Sequence, residues 1–138
     1  MDIGVIGVGA IGGWLAGRLA MAGHRVTCLA RGGTLAALQT GLVIEEGGQQ
    51  DRAFPLVTDE ADGPRDLVVI APTAMALADA AEAVRPWIGP DTLVLPLHNG
   101  VPWWFVGGEP LRSVDPDGRI ADALPLDQVI GGVVHAAC

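Results

Sequence analysis

Residues 3–31 read IGVIGVGAIGGWLAGRLAMAGHRVTCLAR. Residues 3–6 are a short apolar run that ends in glycines. Ile11, Leu15 and Leu19 then recur at every fourth position, with Ala16 and Ala20 beside them. That spacing predicts a helix with one apolar stripe. Gly23 falls just past its end, where a left-handed residue closes a helix. Residues 25–29 are a second apolar run. The order is strand, glycine turn, helix, strand.

Gly7, Gly9 and Gly12 fit the spacing G-x-G-x-x-G within this unit. The first glycine permits a tight turn. The second lets a diphosphate approach the backbone, and the third lets the helix pack close to the strand. The helix N-terminus adds free N–H groups and a partial positive charge. Glycines also serve plain turns. Placement between a strand and a helix is what favours dinucleotide binding here.

The residue after the second strand separates the two nicotinamide cofactors. An acid there would accept from the 2′-hydroxyl of NAD and repel the 2′-phosphate of NADP. This chain has Arg31, and no acid between Arg25 and Thr34. A guanidinium pairs a phosphate bidentately. The expectation is NADP preference, and the alternative is a solvated surface arginine.

The rest of the chain continues the pattern. Thr34 is expected to cap a short helix stopping near Gly41. Residues 42–45 and 52–57 suggest a hairpin around Gly47 and Gly48. DLVVIA (66–71) and TLVLPL (92–97) read as buried parallel strands. Residues 73–84 are alanine-rich and helical, closed by Pro86. SVDPDGRI (113–120) reads as a turn between two extended pieces, and residues 129–134 as a last strand. The predicted fold is α/β, a Rossmann-type doubly wound sheet, mostly parallel, with helices on both faces. Ligands on such sheets bind at the carboxyl ends of the strands.

The 138 residues suffice for one domain, 1–138, and half of them are apolar. The formal charge of −8 opposes nucleic acid or an anionic membrane as partner. Any anionic ligand needs a local positive site. Cys28 and Cys138 have no metal-ligand spacing, so no metal is expected, and Cys28 reads as a buried thiol. No basic leader and no apolar stretch of membrane-spanning length is visible, so the expected location is the cytoplasm. All eight cations are arginines, and the chain has no tyrosine. Two common proton donors of carbonyl reduction are thus missing.

The blocks IGVGAIGGWLAGRLAMAGHRVTCLARG, DLVVIA, LPLHNGVPWWF and VIGGVVHAAC, in this order, resemble the N-terminal domain of the ketopantoate reductases (2-dehydropantoate 2-reductases). The resemblance implies an oxidoreductase that reduces ketopantoate to pantoate with NADPH, on the route to pantothenate and coenzyme A. It places Gly7, Gly9, Ala10, Ile11 and Gly12 on the family's phosphate turn, and Arg31 on its 2′-phosphate contact. Asn99 matches an asparagine near the nicotinamide end and the substrate, and is the candidate catalytic residue; Asn99-Gly100 is also a strong turn dipeptide, and a turn can carry a binding residue. Ala137 matches an alanine whose backbone meets the carboxamide. The family usually carries a lysine where this chain has Thr73. That hydroxyl could bond a ribose or phosphate oxygen, or cap the following helix.

Family members are about twice as long, with a helical C-terminal domain that supplies the catalytic lysine. Its absence implies cofactor binding without efficient turnover by this polypeptide alone. Two other functions stay open: a non-catalytic NADP-binding relative, and a reductase of another small 2-oxo acid. His24, His98 and His135 are the remaining candidate proton donors, though packed or solvent-facing histidines are the simpler reading. Trp103, Trp104 and Phe105 could cover the nicotinamide end, or dock a missing domain or a second subunit in a homodimer. They could also belong to the core.

Overall fold

A computed structural model of the chain describes residues 1–105 and 111–135. In chain order the elements are β1 (Asp2–Ile6), α1 (Ala10–Met21), β2 (Arg25–Leu29), α2 (Gly32–Gln39), β3 (Leu42–Glu46), β4 (Gln49–Ala53), β5 (Leu56–Thr58), β6 (Leu67–Ile70), α3 (Leu77–Ala83), β7 (Leu93–Pro96) and α4 (Arg119–Ala123). Five strands form one wholly parallel sheet in the order β5-β2-β1-β6-β7, and β3 and β4 form a separate antiparallel pair. The chain winds outward from β1 in one direction, then returns to β6 on its other side. A crevice is left above the carboxyl ends of β1 and β6, which is where such sheets bind ligands.

Alternation along the strands builds two cores. Ile3 and Val5 pair with Val26 and Cys28 on one side and with Leu67 and Val69 on the other. Ile3, Val5, Val26, Cys28 and Val69 face α1 and α2, meeting Ala16 and Leu38. Leu29, Val68, Ile70 and Val94 point to the opposite face, under α3 and α4. Trp87, wholly buried, lies against β1 there. A Cβ on Gly4 would collide with its indole. Glycine at position 4 is therefore a packing requirement in mid-strand.

The helix after the glycine turn lays its predicted stripe on the core of Ile3, Val5 and Val26, with Ala16 buried and Leu15, Leu19 and Ala20 partly buried against it. Its other fully buried residues are Gly12, Gly13 and Gly17. The small face receives the β3–β4 hairpin: the place of a residue-17 Cβ is filled by Ile44. Arg18 reaches Glu46 at 3.5 Å and Asp51 at 3.9 Å across the same junction.

Departures from expectation have local causes. Thr34 lies inside α2, whose N-cap is Arg31, and no side chain caps that end. The strand expected over residues 52–57 is two strands. Gln49–Ala53 closes the hairpin, and beyond Pro55, Leu56–Thr58 joins the main sheet beside β2. The helix expected over 73–84 begins as a 3-10 turn at Ala74–Ala76, and Pro86 sits inside a further 3-10 turn, Arg85–Trp87. The second half of SVDPDGRI opens α4. The buried Asp115 carboxylate accepts hydrogen bonds from the N–H groups of Ile120 (3.1 Å) and Ala121 (3.0 Å), filling helix-end donors. Gly23, at φ +87°, closes α1 as expected.

The strand expected over 129–134 is a single bridge, Val129 to Val94, with the Ile130 N–H bonded to the Val94 carbonyl at 2.8 Å. Proline explains the stop. Leu93 and Leu97 donate their N–H groups toward the β6 side. Residues 94 and 96 therefore face the 129–134 segment, and Pro96 has no N–H for the next rung.

Candidate functional site

The turn after β1 is held from three sides. Gly7 has φ +83°, and a Cβ on it would strike the Ala71–Pro72 peptide that follows β6. A Cβ on Gly12 would meet the Gly7 carbonyl oxygen, with the Ala71 Cβ 3.0 Å away. Gly9 is the opposite case, with nothing among the described residues within 4 Å of its Cβ position. The backbone at Gly9 is thus bare toward open space. Its N–H bonds the Gly7 carbonyl at 2.8 Å, and its carbonyl accepts the first helical bond from Gly13 at 2.7 Å. The N–H groups of Ala10, Ile11 and Gly12 precede that ladder and have no helical partner. The first turn of α1 carries no acid.

A cleft of about 400 Å³ lies above this turn. Gly7, Gly9, Arg31, Thr34 and Thr73 all line it. Arg31 ends the extended chain after β2 and begins α2, with φ −131° and ψ 160°. Its Nε donates to the Asp59 carbonyl at a long 3.5 Å. Among the described residues no carboxylate pairs with it. Among the described residues it is also the one charged residue in the lining of this cleft. Guanidinium, glycine turn and the open end of α2 thus converge, although the chain as a whole is acidic.

Thr73 stands at the N-cap position of the 3-10 turn, but its hydroxyl makes no capping bond. The expected cap is not formed, and Thr73 is an exposed residue of the cleft lining. Ala10 and Ile11 open onto a neighbouring hollow between α1 and the β3–β4 hairpin, beside Trp14. The sequence reading missed Ala71, Pro72 and Thr34. For Ala71 and Pro72 the signal is topological: β6 neighbours β1, so the turns after the two strands must touch; Thr34 reaches the cleft from α2, after β2 on the other side of β1.

Asn99 lies elsewhere, at the end of β7. It lines a second pocket of about 230 Å³ with Pro96, His98, Trp104, Phe105 and Val133. Its amide is already engaged: Nδ2 donates to the Val134 carbonyl at 3.0 Å, and Oδ1 accepts from the Val134 N–H at 3.1 Å. His98 stacks on Trp103 with ring centroids 6.0 Å apart and planes 17° apart. Burial holds its imidazole below the ordinary histidine range, and its buried Nδ1 has no partner among the described residues. Burial thus disfavours its charged form. His135 is exposed and His24 half-buried. The aromatic trio splits three ways: Trp103 wholly buried, Trp104 partly, Phe105 exposed. Ala137 lies outside the described residues.

A family profile described as "Ketopantoate reductase PanE/ApbA" matches residues 3–138. The chain belongs to that family. A ketopantoate reductase relative, the 2-dehydropantoate 2-reductase of Mesorhizobium japonicum, is 40% identical over 99% of this chain and 45% of its own length. A solved structure from Ralstonia solanacearum MolK2, provisionally described as a ketopantoate reductase, superposes with a TM-score of 0.93 at 44% identity. It covers 99% of this chain and 46% of its own. The 2-dehydropantoate 2-reductase of Porphyromonas gingivalis W83 gives a TM-score of 0.72 at 28% identity, over 94% of this chain and 44% of its own. The chain thus spans about half the length of the ketopantoate reductases it matches.

Among the described residues no helix is long and apolar enough to cross a membrane, and no group of three His, Cys, Asp or Glu could hold a metal.

Proposed function

We propose that residues 1–138 form the NADPH-binding half of a ketopantoate reductase, acting in the reduction of 2-dehydropantoate to pantoate. One observation carries this reading: the bare Gly9 backbone and the Arg31 guanidinium share one cleft. The glycine turn and the start of α1 would hold the diphosphate through backbone N–H groups. Arg31 would pair the 2′-phosphate, and Thr34 and Thr73 add hydroxyls on the same lining. Asn99 would lie at the nicotinamide end with the substrate, and Ala137 at the carboxamide. The bound cofactor supplies the hydride.

The proton is a separate matter. Reduction of a ketone needs a donor for the developing alkoxide. Residues 1–138 contain neither lysine nor tyrosine; of the histidines, burial disfavours the charged form of His98, His24 precedes β2 at the amino end of the sheet, and His135 is exposed to solvent. The chain alone would therefore bind cofactor without efficient turnover. A family name at 40–44% identity also leaves another small 2-oxo acid as the alternative substrate.

The test is equilibrium binding of NADPH and NADH, followed by nicotinamide fluorescence. The reading requires NADPH to bind at least about tenfold more tightly, the scale of one charge-assisted contact. Equal affinities would remove it.

A further inference from the structure

The chain leaves β7 at Pro96, and the neighbouring segment should come loose there. The last backbone bond between them is Ile130 N–H to Val94, at 2.8 Å. Pro96 cannot donate the next one. Gly132 nevertheless stays close, its Cβ position 3.1 Å from the Pro96 carbonyl oxygen. Two residues further on the segment is fastened again, by the Asn99 side chain and not by backbone. A primary amide carries one carbonyl and one N–H pair in a plane, as a peptide group does. Asn99 uses both against the Val134 N–H and carbonyl, at 3.1 and 3.0 Å. The backbone beside it turns away at Gly100, with φ +121°.

Between these two fastenings the ladder is open, and the 230 Å³ pocket lies there. Pro96, His98 and Asn99 stand on one side, Gly132 and Val133 on the other. We propose that Asn99 is a positioning residue whose side-chain amide replaces the rung lost at Pro96 and holds residues 129–134 as the wall of the pocket that receives the nicotinamide end. The identity of the occupant rests on the cofactor reading above, whereas the fastening itself does not. Asn99 then acts on the ligand through Val134, besides any contact made by its remaining amide hydrogen.

The test uses the full-length protein, wild type and the variants Asn99→Ala and Asn99→Asp. Two quantities are measured: amide hydrogen exchange at Val134 without ligand, and affinities for NADP⁺ and for 2′,5′-ADP, which lacks the nicotinamide half. Loss of both bonds should speed Val134 exchange and weaken NADP⁺ binding, each about tenfold. Binding of 2′,5′-ADP should stay within about twofold. Asn99→Asp keeps the acceptor and should protect Val134 better than alanine does. Unchanged Val134 exchange in Asn99→Ala overturns the proposal. So does NADP⁺ binding that survives faster exchange, or an equal loss for both ligands, which marks a general structural defect. If the wild type binds neither ligand, the cofactor reading fails and the nicotinamide pocket fails with it. The exchange arm then decides the fastening by itself.

Discussion

The carbonyl oxygen of Gly7 occupies the space where a side chain at Gly12 would begin. The motif is thus a mutual fit: the turn can sit on the helix only if position 12 has no Cβ. Gly9 differs, because its Cβ position is open.

That difference separates folding from binding. Gly12→Ala forces backbone against carbon and should cost about 1–3 kcal/mol, read as a lowered Tm. Gly9→Ala should leave stability within about 0.5 kcal/mol, since it meets nothing. It should still weaken NADPH binding about tenfold or more, by filling the diphosphate's approach. Thermal melts and binding titrations on both variants check the pair.

The Trp87 indole fills the space above Gly4 and has no exposed surface. Trp87→Ala should destabilise by about 3–5 kcal/mol, and Gly4→Ala by about 1–3 kcal/mol. Because both act at one contact, the double variant should cost less than their sum. Urea unfolding of the three proteins measures this.

Cys28 is wholly buried, and burial pushes its thiol up to about 12 from 9.0. In a Cys138→Ser background it should resist a thiol reagent at pH 8 until urea unfolds the chain. The linkage sign follows from the same shift. Above pH 9 the unfolded chain loses a proton that the folded chain keeps until about pH 12. This contribution to stability is full below pH 9 and falls by about 1.4 kcal/mol per pH unit through that window. A stability curve that is flat or rising over that window would contradict it.

Asp115 bonds two N–H groups at the start of α4. Asp115→Ala should cost about 1–2 kcal/mol, and Asp115→Asn less, because the amide keeps one acceptor. Denaturant midpoints of both variants decide this.

The sequence legibly carried the β1–α1–β2 unit, the glycine spacing and Arg31, because each answers to local geometry. It also carried the parallel sheet, through runs such as DLVVIA. What escaped depends on neighbours distant in sequence. Gly17 is small because Ile44 and Leu42 land on it, and nothing near α1 announces that. The segment 129–134 has strand composition, yet its pairing was decided by a proline more than thirty residues earlier. Asp115 was read as part of a turn, although its carboxylate begins a helix. Asn99 was legible as a candidate, but its bonds to Val134 were not. Thr73 shows the reverse: a local rule predicts a cap, and the residue lines the cleft without making one.

The measurement that bears most directly on the account is the ratio of NADPH to NADH affinity in wild type and Arg31→Ala. Loss of a bidentate guanidinium–phosphate pair should weaken NADPH by about 1.5–3 kcal/mol, roughly 10- to 150-fold, and leave NADH nearly unchanged. The ratio should fall toward one. An Arg31→Ala protein that still prefers NADPH as strongly as the wild type would contradict the account.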